Sequence, residues 1–333
     1  MSVSVFITPG EIEAARERLA GVIRQTPVEP SPVLSARAGA PVLLKLEHHQ
    51  FSGSFKFRGA SNALRCLNDA GRAAGVVAVS TGNHGRGLAR AAAGAGVRCV
   101  IAMSELVPDN KVAAIRGEGA DVLIRGRSQD EAQVEVDRLV AEEGMTMLPP
   151  FDHPAVIAGQ GTLGLEMIEA VPELETVVVQ LSGGGLISGV AAAIKARKPG
   201  VRIIGVSMER GAAMYASLAA GHPVEVEEQP TLADSLGGGI GLDNRHTFAM
   251  VRELVDDVVL LDEAEIAAGI RHCYREERQI VEGSGAVTVG ALLAGRIAVG
   301  GPTMLLLSGG NIDMELHRRI ISGENVDVAG ERG

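Results

Sequence analysis

Short apolar runs without polar alternation recur along this chain, and three of them end in the same kind of loop. Val76-Val-Ala-Val-Ser80 runs into Thr81-Gly-Asn-His-Gly85, Val177-Val-Val-Gln-Leu181 into Ser182-Gly-Gly-Gly185, and Met304-Leu-Leu-Leu307 into Ser308-Gly-Gly-Asn311. Such runs read as strands buried on both faces of a parallel sheet. Between them lie helical patterns. Thr8-Pro-Gly-Glu11 fits a capping box with Pro at the first helical position, opening a helix with Ile12, Ala15 and Leu19 on one face. Residues 41–45 read as a strand, and a helix is expected from Lys56 to about Asn68. Strand and helix then alternate through 76–80, 84–95, 97–103, 110–117, 122–124 and 129–143 as far as Pro149-Pro150, with further strands near 177, 202–206, 258–261 and 303–307. This alternation predicts an α/β fold of two doubly wound domains. Residues 1–74 and 150–333 would form the large one and 75–149 the small one.

In open sheets of this kind, ligands collect at the carboxyl ends of the strands. Each of the three loops joins glycines, which allow close backbone approach, to a hydroxyl or an amide. Ser182-Gly-Gly-Gly-Leu186 also precedes an amphipathic helix carrying Ile187, Val190 and Ile194, and backbone N–H groups at a helix start bind phosphate. A dinucleotide turn needs Gly-x-Gly-x-x-Gly with an acidic residue about 20 positions on, and Gly183, Gly185 and Gly189 miss that spacing. No P-loop pattern is present.

Lysine usage sharpens the picture. The chain has 31 lysines and arginines, but only Lys45, Lys56, Lys111, Lys195 and Lys198 are lysines. Only a lysine amine can lose its proton and attack a carbonyl to form a Schiff base. Lys56 lies between Phe55 and Phe57, and apolar burial lowers an ammonium pKa. Aldehyde chemistry at a lysine plus one phosphate site implies pyridoxal phosphate. Taken singly, Asn83 and Ser308 also fit simple turn caps, His84 a helix start, and Lys56 a surface lysine.

Composition excludes several classes. Net charge is −10, with no long basic run and 2% aromatic residues, so nucleic-acid binding has no footprint. No apolar run approaches the ~18 residues of a membrane span, and the first seven residues lack signal-peptide character. Cys66, Cys99 and Cys273 form neither a disulfide framework nor a metal pattern; they read as small buried hydrophobes in a reducing cytoplasm. His48-His49 is rejected as a metal pair, because neighbours in a strand point to opposite faces.

Four ordered motifs together, Ser52-Gly-Ser-Phe-Lys-Phe-Arg-Gly-Ala60, Ser80-Thr-Gly-Asn-His84, Ser182-Gly-Gly-Gly-Leu186 and Ser308-Gly-Gly-Asn311, resemble the threonine/serine dehydratases of the tryptophan-synthase-β-like, fold type II pyridoxal phosphate enzymes. Pro150-Phe-Asp152 and Ile157-Ala-Gly-Gln-Gly161 extend the resemblance over nearly the whole chain. It implies that Lys56 holds the cofactor and moves the α-proton, and that Phe55 packs beside the ring. Asn83 would bond the ring's 3′-oxygen, and Ser182, Gly183, Gly184, Gly185 and Leu186 would cradle the phosphate. Ser308 would meet the ring nitrogen, and Ser80, Thr81, Gly82 and His84 the substrate. A neutral hydroxyl at the ring nitrogen makes a weaker electron sink, which favours prompt β-elimination. The reaction implied converts a β-hydroxy amino acid to a 2-oxo acid and ammonia, in a homodimer. Glu282-Gly-Ser-Gly285 matches a segment behind the cofactor and reads as structural.

Departures from the family pattern matter as well. The family usually has Gly where Ser182 stands. Ser207 occupies the place of a cation-binding Glu, so no metal is expected there. Thr81 stands where serine racemases need Ser, leaving a racemase as the rival within the same cofactor class. The chain's length leaves no room for an isoleucine-sensing domain. Ala233-Asp-Ser-Leu-Gly237-Gly-Gly-Ile-Gly241 resembles the hydroxyectoine-utilisation branch, with Gly237 to Gly239 as a flexible wall admitting a longer side chain. Cysteine-synthase-like replacement, a nicotinamide-dependent oxidoreductase and a non-catalytic amino-acid-binding module rank below these readings.

Overall fold

In a computed structural model that describes residues 6–326 and 328, the chain forms two sheets. Ten strands follow in order: β1 (Val28–Pro30), β2 (Val42–Lys45), β3 (Val76–Val79), β4 (Cys99–Met103), β5 (Asp121–Ile124), β6 (Thr146–Met147), β7 (Thr176–Gln180), β8 (Arg202–Met208), β9 (Asp257–Leu261) and β10 (Thr303–Leu306). The larger sheet runs β1-β2-β10-β7-β8-β9 and the smaller β5-β4-β3-β6. All neighbours are parallel except β1, which pairs antiparallel with β2 at the edge. That edge strand and two-residue β6 escape the sequence pattern, because three residues ending in Pro, or two residues alone, carry no periodicity.

The apolar runs are buried on both faces, as their lack of alternation requires. Val177 and Val179 pack with Ile187, Val190 and Ile194 on one face of β7, while Val178 packs with Ile204 and Leu305 on the other. The capping box at Thr8 forms: the Glu11 N–H donates to Thr8 Oγ1 at 3.3 Å and the Thr8 N–H to Glu11 Oε2 at 2.8 Å, opening the helix Pro9–Leu19.

Three expectations change. The helix at Lys56 stops at Arg65, because Asn68 caps a second short helix, Asp69–Ala74, by accepting from the Gly71 N–H. Cys99 and Cys273 are buried, but Cys66 ends the Lys56 helix and is exposed. His48 and His49 lie in a 3-10 turn rather than a strand, and both Nε2 atoms approach Gln279 Oε1, at 2.9 and 3.0 Å. The strand argument against this pair therefore fails on geometry. Among the described residues, no group of three His, Cys, Asp or Glu side chains is placed to hold a metal ion. No helix among them is long and apolar enough to cross a membrane.

Backbone contact fixes how the two sheets meet. The helix Pro154–Ala170 lies against both the Lys56 helix and the helix Gly185–Arg197. A Cβ on Gly159 would stand 2.8 Å from Arg58 O, and one on Gly189 would collide with Ile157 O. Glycine is the side chain this spacing accepts.

Candidate active site

The loop carrying Lys56 is tied directly to the end of β10. The Phe55 N–H donates to Ser308 O at 3.0 Å, the Gly310 N–H to Gly53 O at 3.0 Å, and the His48 N–H to Leu307 O at 2.9 Å. Ser52 takes the left-handed region at φ 66 to make this turn. These bonds place Lys56 at the base of a cleft of about 510 Å³, counting its open mouth. Phe55, Lys56, Asn83, Ser308 and the whole run Ser182 to Leu186 line it. All three strand-end loops thus converge on Lys56.

Lys56 Nζ donates to Pro150 O at 2.8 Å and sits 5.2 Å from the centre of the Phe55 ring. Burial lowers its pKa to about 8, so about a tenth of the amine is neutral at pH 7, far more than for a free lysine. Of its two phenylalanine neighbours only Phe55 faces the cleft. Phe57 belongs to the core around β3 and stacks edge-on against Phe51, because its neighbour on the helix points the other way.

Gly184 adopts φ +86 at the N-cap of the helix Gly185–Arg197, and the residues of this loop line the cleft. A Cβ on Gly185 would stand 2.8 Å from Phe151 O, and one on Gly183 would overlap the Phe151 ring. The segment 148–152 therefore braces three parts of the site. Leu148 O meets His84 Nε2 at 2.8 Å, Pro150 O holds Lys56, and the Asp152 carboxylate accepts the N–H groups of Arg245, His246 and Thr247.

The 80–84 loop divides its labour. Ser80 Oγ accepts the Gly85 N–H at 3.0 Å, in the first turn of the helix Asn83–Ala95. His84 is buried and turned to Leu148, with its pKa lowered to about 3 by burial and by the nearby Lys56. It is a neutral imidazole that bonds the backbone. Thr81, Gly82 and Asn83 face a second chamber, and Asn83, Ser235 and Glu282 line both it and the cleft.

Glu282 is the main site residue that the sequence reading undervalued. It is buried; Asn83 Nδ2 donates to its Oε1 at 2.6 Å and the Asn311 N–H to its Oε2 at 3.0 Å. Asn311 Nδ2 closes the circuit by donating to Asn83 Oδ1 at 2.6 Å. Burial, with the Asp234 charge, raises the Glu282 carboxyl to about 7, against the bonds from Asn83 and Asn311. Its position just before a Gly-Ser-Gly helix start was the available signal, but its partners are far away in sequence. Gln180, Phe151, Ser235 and Ser284 also line the cleft without having been singled out. Leu236 lines it as well, just ahead of the Gly237 to Gly239 run.

Pyridoxal phosphate fits these residues. A glycine cradle at a helix start suits a phosphate. Gln180 Oε1 and Ser284 Oγ, both on the cleft lining, are buried polar atoms with no hydrogen-bond partner among the described residues. Buried polar atoms normally have partners, so the cleft is built for a polar guest.

A parallel α/β fold with a buried lysine amine opposite a phosphate cradle defines a fold type II pyridoxal phosphate enzyme. Residues 19–309 match the family model for pyridoxal-phosphate dependent enzymes, and the chain belongs to that family. Its relatives include a putative threonine dehydratase of Sinorhizobium fredii, 60% identical over 94% of each chain. An L-threonine ammonia-lyase of Thermotoga maritima is 41% identical over 95% of this chain and 79% of its own. Maize serine racemase superposes with a TM-score of 0.89 at 33% identity, covering 95% of this chain and 97% of its own. The cofactor is pyridoxal phosphate, the enzyme is a lyase, and its chemistry is β-elimination.

Proposed function

We propose that the chain deaminates a β-hydroxy amino acid of the threonine or serine type, releasing a 2-oxo acid and ammonia. The observation that carries this reading is the Lys56 amine, held by Pro150 O in a cleft lined by the 182–186 loop and Ser308. When bound, the cofactor supplies an electron-withdrawing ring that acidifies the α-carbon of an attached amino acid. Lys56, with its pKa lowered to about 8, is the group to attach the cofactor and then to take the α-proton. The N–H groups from Ser182 to Leu186 would hold the phosphate. Phe55 would cover the ring and Asn83 its phenolic oxygen, while the neutral Ser308 hydroxyl would stand at the ring nitrogen. Thr81 and Gly82 would face the substrate; Ser80 and His84 hold their loop in place from behind. Ser207 is buried beside Met208 and gives no reason to assign a metal role.

The likeness to the dehydratases further supports a homodimer in a reducing cytoplasm, with two domains meeting near residues 75 and 150. A longer hydroxyectoine-derived side chain would extend past Ser235 and Leu236 into the second chamber. Thr81 on that chamber keeps racemisation as the second reading, and chiral analysis of recovered substrate separates it from elimination.

The test is direct. Purified protein loaded with pyridoxal phosphate should convert threonine to equal amounts of 2-oxo acid and ammonia. Borohydride should fix the cofactor to the peptide containing Lys56. Release of neither product from any β-hydroxy amino acid would refute the reading.

The Glu282 circuit gives a pH expectation. Ionised Glu282 accepts from both Asn83 and Asn311; once protonated, one oxygen becomes a donor and cannot meet the N–H facing it. Activity should therefore fall as pH drops through about 7, where Glu282 gains its proton. Glu282→Gln places an NH₂ against one of those donors at every pH. Its turnover should be about 10-fold lower, with the pH step near 7 gone; a step retained in the variant would assign it to another group.

A further inference from the structure

We propose that the second chamber is a side-chain subsite, entered past Ser235, in which Lys111 and Asp234 select a β-hydroxy amino acid longer than threonine and ending in an uncharged amide. This rests on the function proposed above and names the substrate class. The cleft at Lys56 must already hold the cofactor, and the chamber adds about 860 Å³, counting its open mouth. The single methyl group of threonine needs far less.

The passage between the two spaces is set by Asn83, Ser235 and Glu282, which line both. Asn83 and Glu282 are committed to the circuit with Asn311, at 2.6 to 3.0 Å. Ser235 is small and exposed, and its hydroxyl lies 3.4 Å from both Asn83 Nδ2 and Asp234 Oδ1. Contacts that long are weak, so Ser235 leaves the passage open without being tied into the circuit.

Further into the chamber, Ala114, Ile312 and Met314 supply apolar surface for a stem. Lys111 and Asp234 line the chamber but not the cleft, and Lys111 Nζ lies 3.5 Å from Asp234 Oδ2. This pair is loose and half exposed. The other charges on the lining are compensated: Arg86 acts on the Glu282 carboxylate, and Asp313 accepts from Asn110 Nδ2 and from the N–H groups of Glu315 and Leu316. A charged side-chain end would upset that balance, since a carboxylate would stand against Asp234 and an ammonium against Lys111. An amide suits both members of the loose pair. Its carbonyl accepts from the Lys111 ammonium, which has three donors, and its N–H donates to the Asp234 carboxylate.

The experiment measures kcat/KM of cofactor-loaded wild type, Lys111→Met and Ser235→Leu with threonine, 3-hydroxynorleucine, 3-hydroxyglutamine and 3-hydroxyglutamate. The last two share a shape and differ in charge, while 3-hydroxynorleucine has the same reach without the amide. Wild type should favour 3-hydroxyglutamine over each of the other three by about 10-fold, as expected of a hydrogen bond to a charged group. Lys111→Met should bring the ratio of 3-hydroxyglutamine to 3-hydroxynorleucine close to one. Ser235→Leu should narrow the passage and lower all three longer substrates about 10-fold relative to threonine. Both variants replace exposed side chains, and ratios between substrates cancel any shared loss of folded enzyme. A wild type that prefers threonine, equal use of 3-hydroxyglutamine and 3-hydroxyglutamate, or a ratio unmoved in Lys111→Met would overturn the proposal. So would a Ser235→Leu variant that keeps the wild-type preference. Wild type that releases no 2-oxo acid from any of the four removes the underlying function as well; wild type active on threonine alone removes only the subsite.

Discussion

Lys56→Ala should lower turnover by at least about 10³-fold and strip the protein of tightly held cofactor. Two roles disappear together. A positioned base alone is worth about 10²- to 10⁴-fold, and the covalent hold on the cofactor is lost as well. No other lysine lines the cleft. Lys45 is buried elsewhere against Glu166 at 2.6 Å, Lys111 is paired with Asp234, and Lys195 lies 2.8 Å from Asp256. Lys56→Arg should be nearly as inactive, because guanidinium keeps its proton and cannot attack a carbonyl. That variant separates charge from chemistry. It retains a cation near Pro150 O and Phe55 while removing the nucleophile, although burial that disfavours the Lys56 charge should also lower its melting temperature. Activity and cofactor absorbance measured on both variants decide the matter, and turnover within tenfold of wild type in Lys56→Ala would assign the base to another residue.

Much of this site was legible because strand ends in a parallel sheet obey a topological rule. Three apolar runs ending in glycine, hydroxyl and amide residues named the loops that gather, and the fold brings Asn83, Ser182 and Ser308 to one cleft. The rule places backbones and leaves side-chain direction open. Ser80 and His84 sit in the expected loop, yet one accepts the Gly85 N–H and the other bonds Leu148 O. Phe55 and Phe57 flank Lys56 equally in sequence, but a helix start sends them to different faces. The Asn83–Glu282–Asn311 circuit was invisible for another reason: its members come from three separated loops, and no local pattern records that they meet. The segment 148–152 reads in sequence as a domain crossing and, at Pro150-Phe-Asp152, as a family motif; its bracing role stays hidden, since main-chain carbonyls such as Pro150 O leave no trace in side-chain identity. At His48 the strand expectation fails outright, because Glu47–His49 form a 3-10 turn.

Arg58→Ala should cost the fold about 3–5 kcal/mol, the usual penalty for removing one partner from a buried ion pair. Arg58 lies two residues beyond Lys56 on the same helix and has no exposed surface. Its guanidinium spans two carboxylates, reaching Glu47 Oε1 and Glu166 Oε1 at 2.5 Å each. Burial opposes its charge, but those two carboxylates more than offset this and hold it protonated. Lys45 completes the cluster through Glu166, and Thr26 Oγ1 donates to Glu47 at 2.7 Å. Two cations and two anions leave the group neutral, so deleting one cation leaves a net buried negative charge. Burial already lowers the Lys45 pKa, so that amine is a poor replacement. A surface pair such as Arg138 with Glu142 has water as an alternative partner, and its loss should barely move the melting curve. Denaturant midpoints should therefore separate Arg58→Ala sharply from Arg138→Ala. Adding Glu47→Gln to Arg58→Ala should recover part of the loss by neutralising one orphaned carboxylate. An Arg58→Ala cost under about 1 kcal/mol would show that water enters the cluster and solvates both carboxylates. The helix that carries Lys56 would then owe its place to apolar packing alone, and charge pairing beneath it would contribute nothing to the site.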